Sequence, residues 1–479
     1  MTSAPLMLEF AVLVLGLGAL VQDLRLPAQA KRQLGHWVAL GLLVVLGYSL
    51  VRMQAGPPQF AFGQSYVLDG LALWFKRFFL LAGSLTLLWA TAAAPRLETG
   101  WGEFYSLHIF ALLGMLVAAS ANDFVTVFVA LELITVSFYV LTSFQRRWLV
   151  SLEAGSKYLV LGALATGLMV YGIALIYGTS GTLSFAELAR KAAALETNRL
   201  FRVGLLLVLL GLAFKLAAVP MQWWAPDVYQ GAPTPVTAFL AVGSKAAGLV
   251  VLLRLLWTGL PRPAAQVWTG VLMALAAASI LYGSLGAIPQ WNLKRLLGYS
   301  SIANAGYLLM AVAVLSPEGT TGSLYFLGAY LFTLLAAFGV LTVLMSAGQA
   351  EDLGSLAGLS RRSPGLAAVL ALAMVSLAGV PPLAGFFGKF LIIKAVLEAG
   401  PGYYWMVAVA LWGVVVSLWY YFGVIRAAYW AAAPQSLPAV KVSKTAWAGL
   451  MVCVAGMLFL GLFPSALVDF ARQVAGGLR

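Results

Sequence analysis

The sequence predicts an all-α polytopic membrane protein with about fourteen transmembrane helices. Of the 479 residues, 62% are hydrophobic and only 9% are charged, whereas soluble proteins carry about 25% charged residues. Apolar runs of roughly 20 residues, the length that crosses the hydrocarbon core of a bilayer, recur from end to end. No stretch between these runs is long enough for a separate soluble domain, so we expect a single integral membrane domain over residues 1–479.

The apolar runs give the approximate bounds of the spans. The first run has no basic segment before it and no small-residue cleavage site after it, so we interpret it as a membrane span and not as a signal peptide. An even number of spans places both termini on the same side of the membrane. The predicted spans are 5–22, 36–52, 71–94, 104–121, 124–143, 154–177, 203–224, 236–259, 266–288, 295–315, 322–347, 364–397, 403–429 and 446–470.

The distribution of basic residues predicts the orientation. The loops after odd-numbered spans carry most of them, which places these loops in the cytoplasm and both termini outside, in the bacterial cytoplasmic (inner) membrane. The exception is segment 178–202, which we predict to form an amphipathic helix on the outer surface. We therefore attribute the formal charge of +13 to the orientation of the chain in the membrane, and we expect no nucleic-acid partner. The basic residues that set the orientation are Arg25, Lys31, Arg32, Arg96, Arg146, Arg147, Lys294, Arg295, Arg361, Arg362, Lys441 and Lys444.

Two predicted spans are interrupted by prolines. The seventh contains Pro220 and Pro226, and the twelfth contains Pro381 and Pro382. Proline removes a backbone donor and opens a helix, which membranes tolerate only where protein or water satisfies the freed carbonyl groups. We therefore predict broken helices at both places.

The two broken spans lie five spans apart, and an odd offset reverses the direction through the membrane. Spans 4–8 and 9–13 are thus predicted to be inverted five-helix repeats, a pattern typical of transporters. We expect N-terminal helices over 1–103, a first repeat over 104–259, a second over 266–429 and a last helix over 446–470.

Glu132 lies about nine residues into the fifth span, or roughly 13 Å along the helix. This depth is near the membrane midplane, where ionisable side chains are expensive and usually functional. The alternative is a structural carboxylate that is satisfied by a neighbouring hydroxyl such as Ser137.

Three lysines lie at similar depth on separate spans. Lys215 precedes Pro220 and is a chemically sensible partner for Glu132, unless its side chain snorkels to the interface. Lys245 has small neighbours, which allow close approach of another helix or of water. Lys389 follows the twin prolines and would end the row, with Lys394 as either a further member or an interfacial charge.

Other charged residues receive structural interpretations. Glu153 and Lys157 form an i, i+4 pair at the start of the sixth span, where mutual neutralisation competes with a role in coupling. Asp123 is predicted to cap the fifth helix. We expect Lys76 to snorkel, and Arg254 either to act as a counter-ion or to reach the surface.

The residue inventory limits cofactor chemistry. Cys453 is the single cysteine and His36 and His108 are the only histidines, which excludes a disulfide, a thiolate metal cage and an iron–sulfur ligand set. A GxGxxG motif and a P-loop are also missing. Any redox reaction associated with this chain is therefore expected on a partner.

One acid and a row of lysines at a common depth suit a path for protons. A Na⁺ site would prefer several oxygen ligands, and lysines repel cations. Titratable side chains on broken or small-residue-rich spans can instead exchange protons through water.

Four segments carry a family resemblance: "ANDFVTVFVALELITVSFYVL", "SLEAGSKYLVLGALATGLMVYGIALIYGTSGT", "GLAFKLAAVPMQWWAPDVYQGAPTPVTAFLAVGSKAAG" and "NLKRLLGYSSIANAGYLLM". They resemble the antiporter-like membrane subunits of respiratory complex I, the proton-pumping NADH:quinone oxidoreductase. The resemblance runs from about residue 60 to the C-terminus. Lys389, where the larger subunit types usually have glutamate, and the end of the chain at Arg479, without a long lateral helix, favour the smaller type.

The resemblance implies a fourteen-helix subunit without cofactors of its own, in which Glu132, Lys215, Lys245 and Lys389 match the family's proton-path residues. It also implies partner subunits of the membrane arm, with flavin and iron–sulfur clusters elsewhere in the complex, and surrounding lipid. Two alternatives stay open: a cation/proton antiporter subunit, and a membrane subunit whose buried charges only hold the assembly together.

Overall fold

The computed structural model describes residues 5–31, 33–93, 100–260, 265–349, 351–432, 440 and 442–478. Within this part of the chain the regular structure is helical apart from one small hairpin, which confirms the predicted all-α membrane fold. The predicted positions of Arg32, Arg96 and Lys441 lie outside the described residues.

The first part of the chain runs from the N-terminal helices to the first broken helix. The antiparallel strands β1 (Gln59–Ala61) and β2 (Tyr66–Leu68) form the hairpin between the second and third spans. The helices are α1 (Met7–Arg25), α2 (Ala28–Lys31), α3 (Leu34–Arg52), α4 (Gly70–Ala93), α5 (Trp101–Ser120), α6 (Phe124–Thr142), α7 (Leu149–Ser180), α8 (Phe185–Leu195), α9 (Arg199–Leu216) and α10 (Trp224–Gly231).

The second part begins with one long helix, α11 (Thr234–Gly259), which contains π-helical turns at Leu240–Ser244 and Leu255–Gly259. Short 3₁₀ turns occur at Leu353–Leu356 and Pro401–Tyr403. The remaining helices are α12 (Thr269–Ala287), α13 (Leu293–Ala313), α14 (Pro317–Ser346), α15 (Leu359–Arg362), α16 (Pro364–Ala378), α17 (Ala384–Glu398), α18 (Tyr404–Tyr429), α19 (Lys444–Leu462) and α20 (Ser465–Gly476).

Twelve helices of the described ranges are long and apolar enough to cross a membrane. The other two predicted spans, the seventh and the twelfth, fall on helices that break. The broken helices themselves were predicted, whereas the total of fourteen spans, the inverted relation of the repeats and the proposed domain bounds stay predictions.

The centre of the bundle consists of three helices. The apolar windows of α11, α13 and α14 are 100%, 94% and 94% buried inside the chain, while those of α1 and α7 are only 28% buried. The outer helices therefore present apolar side chains to lipid or to a neighbouring subunit, and the polar side chains of the centre are shielded from both.

Both broken helices end in the same way. Helix α9 ends at Leu216, followed by Ala217 with a φ of 56° and, three residues later, by Pro220. Helix α16 ends at Ala378, followed by Gly379 with a φ of 82° and, three residues later, by Pro382. A left-handed residue closes each helix, and the following proline prevents its continuation.

Pro226 does not open a helix, contrary to the sequence prediction. It is the third residue of α10, in the first helical turn, where the backbone N–H groups have no intrahelical acceptor. The first break is therefore confined to the segment around Pro220, between α9 and α10.

The corresponding helices α6 and α13 of the two halves also begin with similar N-terminal caps. The Asp123 carboxylate accepts a hydrogen bond from the Thr126 N–H at 2.6 Å, which confirms the predicted cap of α6, and Asn292 accepts from the Arg295 N–H at 3.0 Å at the start of α13. Each capping residue also forms an isolated β-bridge, to Ser184 and to Asp352 respectively. These matching features support the repeat hypothesis.

Segment 178–202 forms the predicted amphipathic helix as α8. Phe185, Leu188 and Ala192 are buried at helical spacing, and the opposite face is exposed. This helix covers the end of the first half of the bundle.

A close helix contact of the second half depends on Gly283 of α12. A Cβ at this position would lie 2.4 Å from the Ala303 nitrogen and 2.7 Å from the Tyr299 oxygen, both backbone atoms of α13. We expect Gly283→Ala to lower the free energy of unfolding by about 1–3 kcal/mol because α12 and α13 must separate.

The control is Gly270→Ala on the same helix, where the added Cβ has no atom within 4 Å. Thermal unfolding of the detergent-solubilised variants measures both effects. Equal transition temperatures for the two variants would contradict the packing described here.

Candidate functional site

Lys215 lies in the last turn of α9 and is only 3% exposed. Its Nζ donates a hydrogen bond to Thr135 Oγ1 on α6 and a long one, at 3.5 Å, to the Leu131 carbonyl. The alternative in which this lysine snorkels to the interface is therefore wrong. Its ammonium group is held inside the bundle, against the helix that carries Glu132.

Glu132 is half-buried, and its Oε1 accepts a hydrogen bond from Thr166 Oγ1 of α7 at 2.7 Å. Ser137 is not its partner, because that hydroxyl donates to the Leu133 carbonyl of its own helix. Thr135 lies one turn after Glu132 on the same face of α6. Among the described residues the predicted partners do not form a direct ion pair, since Glu132 binds the Thr166 hydroxyl and Lys215 binds the Thr135 hydroxyl.

Lys245 is 2% exposed and follows the first π-helical turn of α11. Its Nζ donates to the Leu216 carbonyl at 2.6 Å and to the Ser301 carbonyl at 2.9 Å. Leu216 is the last residue of α9, and the final carbonyls of a helix have no intrahelical donor and carry its negative dipole end. The break in the seventh span therefore creates the acceptor that holds Lys245.

Lys389 is 5% exposed and lies in the second turn of α17. It donates to the Leu377 carbonyl at 2.8 Å and to the Ala378 carbonyl at 3.4 Å, the last two residues of α16. Its Nζ also lies 5.2 Å from the centre of the Tyr307 ring. The twelfth span thus repeats the arrangement of the seventh, with a lysine on the free carbonyls of a broken helix.

A polar face of α13 lies between Lys245 and Lys389. Ser301 Oγ is 3.0 Å from the Tyr229 hydroxyl, Ser300 shares a hydrogen bond with Tyr421, and Asn304 donates to Ser300 at 3.3 Å. Sequence reasoning missed this face, because serines and an asparagine in an apolar helix carry no charge. It provides hydroxyl groups along the interval between the two lysines.

The comparisons with known proteins agree with this geometry. Residues 121–417 match the profile of the family described as NADH:quinone oxidoreductase/Mrp antiporter, transmembrane. This match covers more than half of the chain and includes Glu132, Lys215, Lys245 and Lys389. The chain belongs to this family.

Close relatives extend the likeness over the full length. NADH-quinone oxidoreductase subunit N of Desulforamulus reducens is 38% identical over 98% of this chain and 97% of its own length, and the protein of the same name from Rhodospirillum rubrum is 40% identical over 99% and 97%. A chain of respiratory complex I from Thermus thermophilus, solved with bound aureothin, is 34% identical, covers 97% of this chain and 99% of its own, and superposes with a TM-score of 0.81. The resemblance drawn from the four sequence segments is confirmed.

In this member of the NADH:quinone oxidoreductase/Mrp antiporter family, Lys157 belongs to a larger charge cluster. It pairs with Glu153 at 2.6 Å, as predicted, and also with Asp227 of α10 at 2.6 Å. Asp227 further binds Arg295 of α13. The sequence did not indicate Asp227, because its partners lie about 70 residues away on other helices.

Lys394 lies away from the buried row. Its side chain is 51% exposed and lies 3.6 Å from Glu398, which is equally exposed. Of the two interpretations for this residue, the structure favours the interfacial charge.

Three further ion pairs are buried; the counter-ion role of Arg254 was one of its two predicted alternatives, and the other two pairs were not predicted. Lys76, expected to snorkel, is 0% exposed and lies 2.8 Å from Glu9. Arg254 forms two hydrogen bonds with the Asp69 carboxylate, at 2.8 and 3.0 Å, and is thus a counter-ion. Lys294, taken above as an orientation signal, is 2% exposed and lies 2.6 Å from Glu351.

Metal ligands do not cluster in the described ranges, where no group of three His, Cys, Asp or Glu residues could hold an ion. His108 is buried, contacts Thr86 Oγ1 at 3.0 Å and stacks on Phe239. Cys453 is also buried. His108 and Cys453 are thus packed in the interior, as side chains with a structural role are.

The charges around Asp227 connect α10 to α7 and α13. Asp227→Asn would leave Lys157 and Arg295 without their shared carboxylate, and we expect the free energy of unfolding to fall by about 1 kcal/mol, because these groups are only partly buried. Thermal unfolding at low and high salt measures the effect, and the deficit should shrink in about 1 M salt, where charges are screened.

Glu398→Gln serves as the control, since it breaks a single exposed i, i+4 pair and should change stability little. A deficit for Asp227→Asn that does not depend on salt would show that the cluster is not held by charge.

Proposed function

We propose that this chain is a proton-translocating subunit of the membrane arm of an NADH:quinone oxidoreductase, in which quinone reduction on other subunits drives protons along Glu132, Lys215, Lys245 and Lys389. The observation that carries the proposal is the environment of the three lysines. Each is at least 95% buried, and each is held by backbone carbonyls or by a hydroxyl group.

The contrast with the buried Lys76 supports this assignment. Lys76 lies 2.8 Å from an enclosed carboxylate oxygen of Glu9, whereas none of the three row lysines has a carboxylate partner among the described residues. A carboxylate in contact would hold the proton on a buried lysine. Neutral oxygen acceptors suit a lysine that must both gain and lose a proton.

The positions of the four residues suggest an order of transfer. Glu132, which faces the side of the bundle, modulates Lys215 through their shared helix α6, so that a change in its charge shifts the proton affinity of the lysine. Lys215 passes its proton to Lys245, and the polar face of α13 leads on to Lys389. Release occurs on the outer side, close to the end of the twelfth span.

The remaining parts of the proposal concern the assembly. The chain acts as a translocase subunit without redox chemistry of its own, while flavin and iron–sulfur clusters reside on partner subunits. Its partners are neighbouring subunits of the membrane arm and lipid, with no nucleic acid. Both termini lie on the outer side of the bacterial cytoplasmic membrane.

Lys389→Met tests the row at its far end. We expect proton transfer through this chain to fall at least about tenfold, because a group that must exchange a proton has been removed. The number of protons moved per quinone reduced then falls by the share that this subunit carries. Proton uptake and quinone reduction are measured together in membrane vesicles that contain the assembled complex, with assembly verified by the size and flavin content of the purified particle.

The matched control is Lys394→Met, which removes an exposed lysine from the same helix and should leave proton movement unchanged. Equal proton movement in both variants would contradict the assignment of Lys389. The alternative antiporter function, which the family also includes, predicts instead a salt-dependent proton exchange that needs no electron donor.

A further inference from the structure

A cavity of about 200 Å³ lies at the end of the bundle that the distribution of basic residues places on the inner side. Its walls come from the connections after the fifth, seventh and eleventh spans and from the start of α13. Among the described residues that line it, Lys294 and Glu351 are the only ionisable ones. Polar side chains such as Gln145, Thr234 and Ser346 complete the lining.

The Lys294–Glu351 pair forms the inner wall of this cavity. Lys294 is buried, and its Nζ also donates to the Ala232 carbonyl at 2.8 Å. The Glu351 side chain is 15% exposed, so its carboxylate is accessible from the cavity while it holds the lysine behind it. The Lys294–Glu351 pair is therefore open to the cavity, whereas the pair of Lys76 and Glu9 is fully enclosed.

Lys294 also lies in line with the central row. It precedes Ser301 by seven residues on α13, two helical turns or about 10.5 Å along the axis. The Ser301 carbonyl accepts a hydrogen bond from Lys245. Lys294 therefore lies on α13 near the cavity, and Lys245 contacts the same helix two turns further on, at the level of the row.

Polar groups line the interval between the two lysines. The Ala232 carbonyl that binds Lys294 also accepts a hydrogen bond from Thr237 Oγ1 at 3.4 Å, and Thr237 bonds in addition to the Tyr229 carbonyl at 3.2 Å. The Tyr229 hydroxyl then contacts Ser301 Oγ. Polar groups therefore lie at both ends of this interval, and water would connect the Tyr229 carbonyl to the Tyr229 hydroxyl.

We propose that this cavity is the inner-side entrance of the proton path and that the Lys294–Glu351 pair is its uptake site, with Glu351 as the first proton acceptor. This inference rests on the proposed function. It adds a residue pair outside the row of Glu132, Lys215, Lys245 and Lys389, and it assigns the place where protons leave the inner solution.

The transfer balances in three steps. A proton from the inner solution forms an O–H bond at Glu351, which removes the charge that holds the proton on Lys294. The Lys294 ammonium group then gives its proton to Lys245, which is neutral after the row has moved a proton to Lys389, so an N–H bond breaks at Lys294 and one forms at Lys245; Lys245 in turn reloads Lys215. The O–H bond at Glu351 breaks as its proton moves to the neutral Lys294 amine, the ion pair is restored, and one proton has entered.

The test uses the double variant Lys294→Met/Glu351→Met in the assembled complex. Replacing a buried ion pair with two apolar side chains is often neutral or stabilising, because no unpaired charge remains. We expect the complex to assemble and reduce quinone, with proton transfer through this chain lowered at least about tenfold and protons moved per quinone lowered by the share that this subunit carries. A purely structural pair predicts normal proton movement in this variant, and that result would overturn the proposal.

Lys389→Met, measured in the same vesicles, separates the two proposals. If it lowers proton movement while the double variant does not, the entrance is wrong and the row stands. If neither variant lowers it, the proposed function itself fails.

Cysteine labelling provides a test that does not depend on the ion pair. Thr342 lines the cavity one turn deeper than Ser346, and the single native cysteine, Cys453, is buried in another helix. A membrane-impermeant, positively charged methanethiosulfonate added to the inner side should label both Ser346→Cys and Thr342→Cys and lower proton movement severalfold. Labelling from the outer side only, no labelling at Thr342→Cys, or labelling without loss of proton movement would each overturn the proposal.

Discussion

The central constraint on this molecule is that a helix broken inside a membrane leaves carbonyl groups without their intrahelical donors. In the hydrocarbon region lipid supplies no donor, so the protein or enclosed water must provide one. Here the donors are lysines: Lys245 binds the last carbonyl of α9, and Lys389 binds the last carbonyls of α16. The free-energy cost of the unpaired carbonyl groups and that of the buried ammonium group are both reduced, because the ammonium group supplies hydrogen-bond donors and the carbonyl groups supply acceptors.

The same constraint separates two kinds of buried lysine. Where the structure needs a permanent joint, as between α1 and α4, the lysine meets an enclosed carboxylate. Where the helices break, the lysine meets neutral oxygen atoms and the negative end of a helix dipole, which is an attraction weaker than that of a full charge. The burial of a lysine therefore does not by itself identify a functional site. The group that accepts hydrogen bonds from the lysine is the more informative feature.

Sequence reasoning reached the central site because its signals are local. A proline within an apolar run marks a break, and a charge about nine residues into a span marks a deep position, so Glu132, Lys215 and Lys389 could be found without a structure. The cap at Asp123 and the amphipathic helix α8 are local signals as well. Pro226 was misjudged because a proline in the first turn of a new helix looks, in sequence, like a proline that ends the previous one.

The features that were missed depend on distant contacts. Arg254 and Asp69 are 185 residues apart, and the partners of Asp227 lie on two other helices, so no periodicity connects them. The hydroxyl groups of Thr135 and Thr166, which position Lys215 and Glu132, are unremarkable in an apolar helix until the helices are packed. Charges near span ends were also ambiguous, since Lys294 follows the orientation rule and yet is buried against Glu351.

The most direct measurement is proton movement per quinone reduced in vesicles that contain the assembled complex with Lys215→Met, which keeps a side chain of similar length without its charge. The account predicts an assembled, flavin-containing particle in which proton transfer through this chain is at least about tenfold lower, because the link between Glu132 and the rest of the row is removed. Protons moved per quinone then fall by the share that this subunit carries. Unchanged proton movement in that particle would contradict it.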